Sequence, residues 1–193
     1  MAPKRIFILM GNPDKEGTLS NEVADAYETA AKEAGHEVRR ANLGDLRFDP
    51  ILHKGYKVIQ ELEPDLKKVQ EDMKWAEHFV LVYPLWWAGM PALLKGLFDR
   101  MWIPGFAFHF WKNGLGWDRL MKGKTARVVI LSKNWPIVER FLFGDFKNEV
   151  GKALLGFSGY QVRMNEIGHS EGLSETKKAA WLRKISLLGS KGV

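Results

Sequence analysis

The 193-residue chain is predicted to form an α/β domain on a doubly wound parallel sheet. Three observations carry that expectation. Five strand-like segments recur along the sequence, the second of them weaker, five helix-like segments alternate with them, and the length suits one domain over residues 1–193.

The elements follow in order. Ile6-Phe7-Ile8-Leu9-Met10 is a continuous apolar run, the pattern of a strand buried on both faces. It stops at Gly11-Asn12-Pro13, and a polar loop runs to Gly17. Thr18 or Ser20 can cap the helix that follows, in which Val23, Tyr27, Ala30, Ala31 and Ala34 recur at helical spacing until Gly35. Residues 37–41 make a second strand, which completes a βαβ unit. Residues 44–63 lack a period and read as an excursion. Pro64 opens a helix to about residue 77, with Leu66, Val69, Met73 and Trp75/Ala76 inward. Residues 79–83 (FVLVY) form the clearest strand, residues 84–90 a loop, and Pro91 opens a helix to about Arg100. Residues 102–124 are aromatic and glycine-rich without a clean period. A strand at 126–131, a helix at 146–155, a strand at 161–167 and a helix at 174–188 close the chain. Two strand orders fit: 2-1-3-4-5, with its ligand where the order reverses at the first and third strands, or half of a dinucleotide-binding fold.

Composition narrows the function. With no cysteine, disulfides, thiolate catalysis and cysteine-bound metal centres are excluded. The five histidines (36, 53, 78, 109 and 169) show no metal-ligand spacing, so no metal site is expected and each reads as a surface or capping residue. The net charge is +6, but Lys and Arg are spread evenly in runs of at most two, so no nucleic-acid partner is expected. No apolar run reaches the ~18 residues a membrane helix needs, and residues 1–12 lack a signal-peptide pattern. The expectation is a cytoplasmic protein without membrane insertion.

Two loops carry the chemistry. The first, residues 11–21, sits where a buried strand feeds a helix N-terminus, a place where free amides and the dipole hold phosphate. It is neither a Walker A loop nor G-x-G-x-x-G. The hydroxyls of Thr18 and Ser20, the amide of Asn21 and the backbone amides must do the holding; an ordinary N-cap is the bland alternative. The second loop places Trp86 and Trp87 side by side between Pro84 and Pro91. Two adjacent indoles cannot both enter one core, so at least one faces solvent, a ligand or a partner. A planar heteroaromatic ring could stack there, with Gly89 permitting close approach.

Residues 83–100 (YPLWWAGMPALLKGLFDR), followed by 104–108 (PGFAF), closely resemble the flavodoxin-like NAD(P)H:quinone oxidoreductases. Thr18-Leu19-Ser20-Asn21, residues 155–160 (LGFSGY) and 167–169 (IGH) match the same family, so the resemblance spans about residues 4–188. It implies the order 2-1-3-4-5, bound FAD or FMN with a leaning to FAD, NAD(P)H as co-substrate, a quinone-like acceptor, and a homodimer.

Carried over by position, Asn12 and Thr18, Leu19, Ser20 and Asn21 would hold the flavin phosphates and ribityl chain. Pro84, Leu85, Trp86, Trp87 and Ala88 would line the isoalloxazine ring. Ser132, Lys133, Asn134 and Trp135 would run along its pyrimidine edge. Phe108 and Phe110, with His109 between them, would wall the substrate pocket of the opposite subunit. Family members often carry His where this chain has Asn12. The mammalian-type loop Thr-Thr-Gly-Gly, and the Tyr and His that follow it, are replaced here by residues 131–144 (LSKNWPIVERFLFG). Lys133 is then the candidate donor to the reduced flavin, against the reading of a solvated lysine at a strand end. The resemblance leaves two other functions open: a flavin or azo reductase using the same site, or a regulatory flavoprotein subunit of a membrane transport system.

Overall fold

The computed structural model describes residues 2–193, the side chains of Pro136 and Glu139 apart. Its strands and helices are β1 (Arg5–Met10), α1 (Leu19–Glu33), β2 (Glu37–Asn42), α2 (Pro64–Trp75), β3 (His78–Pro84), α3 (Ala92–Met101), β4 (Phe108–Phe110), β5 (Trp117–Arg119), β6 (Thr125–Leu131), α4 (Pro136–Phe143), β7 (Gln161–Ile167) and α5 (Glu175–Lys191). The main sheet has the order β2-β1-β3-β6-β7, every neighbouring pair parallel. Counting only its own strands, that is 2-1-3-4-5, the order expected from the sequence.

Alternation along the strands explains the two layers of helices. Phe7, Leu9, Phe79, Leu81, Val128 and Ile130 point to one face, where α2 and α3 cover them with Leu66, Val69, Leu94 and Phe98. Ile6, Ile8, Met10, Val80, Val82 and Val129 point to the other, under Val23, Tyr27 and Ala31 of α1 and Ile185 of α5. Both faces are buried, which is why the central strands read as unbroken apolar runs. Burying each such side chain stabilises the fold by roughly 1.5–3 kcal/mol.

The structure departs from the sequence reading in four places. Residues 102–124 contain the hairpin β4–β5, with Phe108 opposite Arg119 and Phe110 opposite Trp117. An additional helix, α4, follows the β6 loop; it was not expected. Residues 146–155 were expected as an ordinary helix, but Glu149–Gly156 is a π-helix. Finally, His36 and His78 are buried; His36 fits the capping alternative, its ring meeting the Ser190 carbonyl in the last turn of α5 at 3.2 Å, while His78 is not a surface residue. His36 Nδ1 accepts from the Lys4 amide at 3.1 Å, and His78 pairs with the Thr125 hydroxyl at 2.7 Å. Among the described residues no helix is long and apolar enough to cross a membrane.

Candidate functional site

The strand order reverses between β1 and β3, so the loops leaving their carboxyl ends diverge and open a crevice. A cavity of about 560 Å³ lies on the β6 side of the β3 loop, lined by Pro84, Leu85, Trp86, Trp87 and Ala88 after β3 and by Leu131, Lys133 and Asn134 after β6, while Asn12 and residues 18–21 of the β1 loop are not among its lining. Phe143, Ser170 and Glu171 complete its rim.

The β3 side is a tight hairpin. Trp86 and Gly89 exchange both backbone hydrogen bonds at 3.0 Å, which leaves Trp87 and Ala88 as a two-residue turn. Both have positive φ, 51° and 60°. Such a turn normally takes glycine or asparagine, since a side chain there crowds its own carbonyl at a cost of about 1–2 kcal/mol per residue. Gly89, singled out from the sequence for close approach, has room for a Cβ: the nearest atoms, the Trp86 carbonyl oxygen and Glu149 Oε2, would lie at ordinary contact distances of 3.8 and 3.9 Å. The strain therefore falls on its two neighbours. Trp87 is fully solvent-exposed and Trp86 is 48% exposed, as two adjacent indoles required. Strained non-glycine backbone held beside a cavity is a mark of a functional loop.

The β6 side is held by backbone. The Asn134 carbonyl accepts from the Ser132 hydroxyl at 2.8 Å and from the His169 amide at 3.1 Å. The Ser132 carbonyl accepts from the Ser170 amide, and Trp135 stacks on His169 with centroids 5.5 Å apart. Lys133 projects outward and pairs with Glu171 at 2.9 Å. That hydrogen bond and the carboxylate charge raise the Lys133 pKa, so its ammonium stays charged beside the cavity.

The first loop lies at the start of α1. Thr18 caps the helix, its hydroxyl accepting from the Asn21 amide at 3.2 Å. The amides of Leu19 and Ser20 are left without an intrahelical acceptor, as at any helix start. Asn12 is 7% exposed, and its side-chain oxygen accepts from the Asp14 amide at 3.1 Å. Asn21 is engaged elsewhere: its amide donates to Asp25 and its oxygen accepts from Arg40 at 2.9 Å. Its backbone amide is engaged as well, donating to the Thr18 hydroxyl and carbonyl, so Asn21 offers no free backbone donor. The loop is fixed from below, because Lys15 pairs with Asp45 and Gly44 sits against Pro13. A Cβ on Gly44 would overlap the Pro13 carbonyl oxygen. Sequence reasoning did not reach Gly44, Lys15 or Asp45, whose contacts join segments about thirty residues apart.

Phe108, His109 and Phe110 form β4 and do not line this cavity. Phe108 instead lines a second, more apolar cavity of about 410 Å³ with Tyr56, Ile59, Trp102 and Phe157. Phe110 is 54% exposed and packs edge-on against Phe108 at 5.0 Å.

A parallel sheet of this order, with a strained aromatic loop after β3 and a helix N-terminus after β1, is the flavodoxin-like doubly wound arrangement, whose ligands bind outside the carboxyl ends of the strands. Residues 4–179 match the family Flavodoxin_2, described as a flavodoxin-like fold, and the chain belongs to that family. It is 31% identical over 132 residues to an uncharacterized NAD(P)H oxidoreductase of Haemophilus influenzae, covering 66% of this chain and 64% of that protein. With the human ribosyldihydronicotinamide dehydrogenase [quinone] it shares 35% identity over 149 residues, 70% of this chain and 62% of the relative. The chain thus spans less than two thirds of the length of either curated relative. Among solved structures, the NAD(P)H:quinone oxidoreductase of Methanothermobacter marburgensis superposes with a TM-score of 0.82 at 24% identity, over 98% of both chains. That likeness establishes the fold.

Proposed function

We propose that this chain is a flavin-dependent oxidoreductase that passes electrons from NAD(P)H to a quinone-like acceptor. The carrying observation is the 560 Å³ cavity at the carboxyl end of the sheet, walled by Trp86 and Leu85 after β3 and edged by Lys133 and Asn134 after β6. Its size is within the range of roughly 300–1,000 Å³ for cofactor pockets, and its apolar wall with a polar edge suits a flat ring having one hydrogen-bonding side. A flavin bound there supplies hydride acceptance from NAD(P)H and two-electron delivery to the acceptor.

The chain's residues bind, orient and tune. Pro84, Leu85, Trp86, Trp87 and Ala88 offer a wall for the ring, with the turn's strain fixing the backbone. Asn12 and the backbone amides at the start of α1, those of Leu19 and Ser20, would hold the phosphate end, with Thr18 and Asn21 fixing that turn through the N-cap and the α1 dipole adding its positive end. Lys133 and Asn134 line the cavity and would meet the pyrimidine edge, while buried Ser132 fixes the Asn134 carbonyl and Trp135, stacked on His169, braces the loop outside the cavity lining. The Lys133 ammonium stabilises the negative charge that gathers there on reduction, and Glu171 moderates it.

The acceptor site is shared across a two-fold homodimer. Phe108, His109 and Phe110 lie outside the chain's own cavity and leave Phe110 exposed, the arrangement expected of residues that cover a partner's site. The cofactor is FAD, on the resemblance of the 83–108 segment, and the protein is cytoplasmic.

Mass spectrometry of the released cofactor tests the binding claim: FAD is expected, FMN corrects that part, and a protein that takes up neither overturns the reading. Turnover of NADH and NADPH with a panel of quinones tests the reaction. A flavoprotein inactive with every acceptor would instead be a regulatory subunit. Light scattering that gives a 22.0 kDa monomer with activity intact rules out the shared site.

A further inference from the structure

The second cavity, of about 410 Å³, is lined by Tyr56, Val58 and Ile59 from the segment before α2, by Trp102 after α3, by Phe108 in β4 and by Phe157 after the π-helix. It shares no lining residue with the 560 Å³ cavity. Its volume falls within the roughly 300–1,000 Å³ of small-molecule pockets.

This lining has little to offer a polar ligand. Gln60 spends its amide on the Ile51 carbonyl at 3.1 Å and on the His53 backbone amide at 3.3 Å. Trp102 Nε1 donates to the Ser158 hydroxyl at 2.7 Å. The Arg100 Nη atoms are held by Glu63, which balances their charge, and by the Glu61 and Asp49 carbonyls. Tyr56 adds one hydroxyl; the rest of the named side chains are aliphatic or aromatic. Tyr56, Val58 and Ile59 are 71%, 54% and 89% exposed. Large apolar side chains grouped in the open at an apolar cavity mark a binding surface.

Phe108 joins this cavity to the proposed acceptor site. Its ring packs edge-on against Phe157, with centroids 5.2 Å apart, and against exposed Phe110 at 5.0 Å. Phe110 and Phe157 are themselves 6.4 Å apart, so the three rings make one aromatic strip from the open edge of β4 into the cavity.

We propose that the cavity holds the apolar side chain of the acceptor. The preferred substrate is then a quinone with an alkyl or alkenyl tail, its ring on Phe110 and its tail led past Phe108 toward Phe157 and Ile59. This rests on the reading of Phe108 and Phe110 as the acceptor wall. Each methylene buried strengthens binding roughly fourfold, so a short length of tail inside the cavity is enough to select for it.

The test compares a benzoquinone carrying a decyl chain with the same ring lacking it. With flavin-loaded protein and saturating NADH or NADPH, kcat/KM should favour the decyl compound at least about tenfold. Ala153 is an exposed lining residue, and Ala153→Phe fills the cavity; Ile59→Ser removes part of its apolar lining. Each should cut the preference to about threefold or less. Methyl NMR supplies a readout that does not depend on turnover. The Ala153 and Ile59 methyl signals, assigned by their loss in the two variants, should shift saturably with the decyl compound and little with the bare ring. Turnover of the decyl compound without those shifts, equal kcat/KM for the two quinones, or a preference intact in both variants would overturn the proposal. Saturable shifts with neither quinone turned over would support the tail site and overturn the redox reading instead, so the two failures are distinguishable.

Discussion

Arg100 is the position where one substitution should damage the fold most. It lies at the end of α3, fully buried, and its guanidinium grips the excursion that precedes α2. Nη1 and Nη2 meet the Glu63 carboxylate at 3.1 and 2.9 Å, Nη2 donates to the Glu61 carbonyl at 2.8 Å, and Nη1 also meets the Asp49 carbonyl. Replacing Arg100 with Met keeps much of the volume but leaves a carboxylate and two carbonyls without their donor. Breaking one side of a buried ion pair costs about 3–5 kcal/mol. Glu63 is 28% exposed and recovers some hydration, so the lower end applies, about 3 kcal/mol. For a chain of this size that lowers Tm by roughly 6–12 °C. Arg100→Lys should recover only part of this, since an ammonium cannot fork to both the carboxylate and the carbonyls. The pH dependence has a definite sign. Burial would raise the Glu63 pKa, but the hydrogen bonds from Arg100 and the Asp49 amide outweigh it and hold the pKa low. The contribution is therefore full above the unfolded pKa of a glutamate and is lost as pH falls through the lower folded value. Urea unfolding of wild type and variant at pH 7 and pH 4 measures both effects. A loss below about 1 kcal/mol at pH 7 would refute the argument, because that is what an exposed pair gives.

Three further substitutions probe the site loops. Ala88→Gly relieves a left-handed residue costing about 1–2 kcal/mol, less about 0.5–1 kcal/mol of glycine entropy, so flavin-free protein should unfold at slightly higher urea; a lower midpoint contradicts the strain. Gly44→Ala drives a methyl into the Pro13 carbonyl and should displace the first loop, weakening flavin binding at least tenfold in a fluorescence titration; unchanged affinity would show that the loop is not needed. Lys133→Ala removes an exposed side chain, so stability should stay within about 0.5 kcal/mol, while the flavin midpoint potential should fall; an unchanged potential and turnover would leave Lys133 a solvated surface residue.

Most of the framework was legible because both sheet faces are covered. β1 and β3 read as apolar runs and β6 as one interrupted only by Arg127, and Thr18 announced its helix as a capping residue. The second loop was legible for a steric reason, since adjacent indoles had nowhere to hide. The missed features lack a local signal. Ile137, Val138, Phe141 and Leu142 of α4 stand at helical spacing, but the helix is only eight residues long and these side chains are all exposed, so no core contact marks it. β4 and β5 are three residues each, too short to show alternation. The π-helix keeps Val150 and Leu155 inward, a spacing close enough to an ordinary helix to pass for one. His78 reads as a polar strand end and becomes buried only because Tyr27 folds over it. Arg100 at a helix end reads as a surface cation, and its partner Glu63 lies 37 residues upstream in a segment without period. The turn strain at Trp87 and Ala88 was also hidden, because glycine is where sequence reasoning looks for it.

Anaerobic stopped-flow mixing of the flavin-loaded protein tests the central claim most directly. NADH or NADPH should bleach the oxidised flavin bands in a single two-electron phase, and a quinone added next should restore them within the turnover time. Trp86→Ala, which removes the half-exposed indole from the cavity wall, should slow or abolish the bleaching. A flavin that neither nucleotide reduces, or a reduced flavin that no quinone reoxidises, would contradict the account.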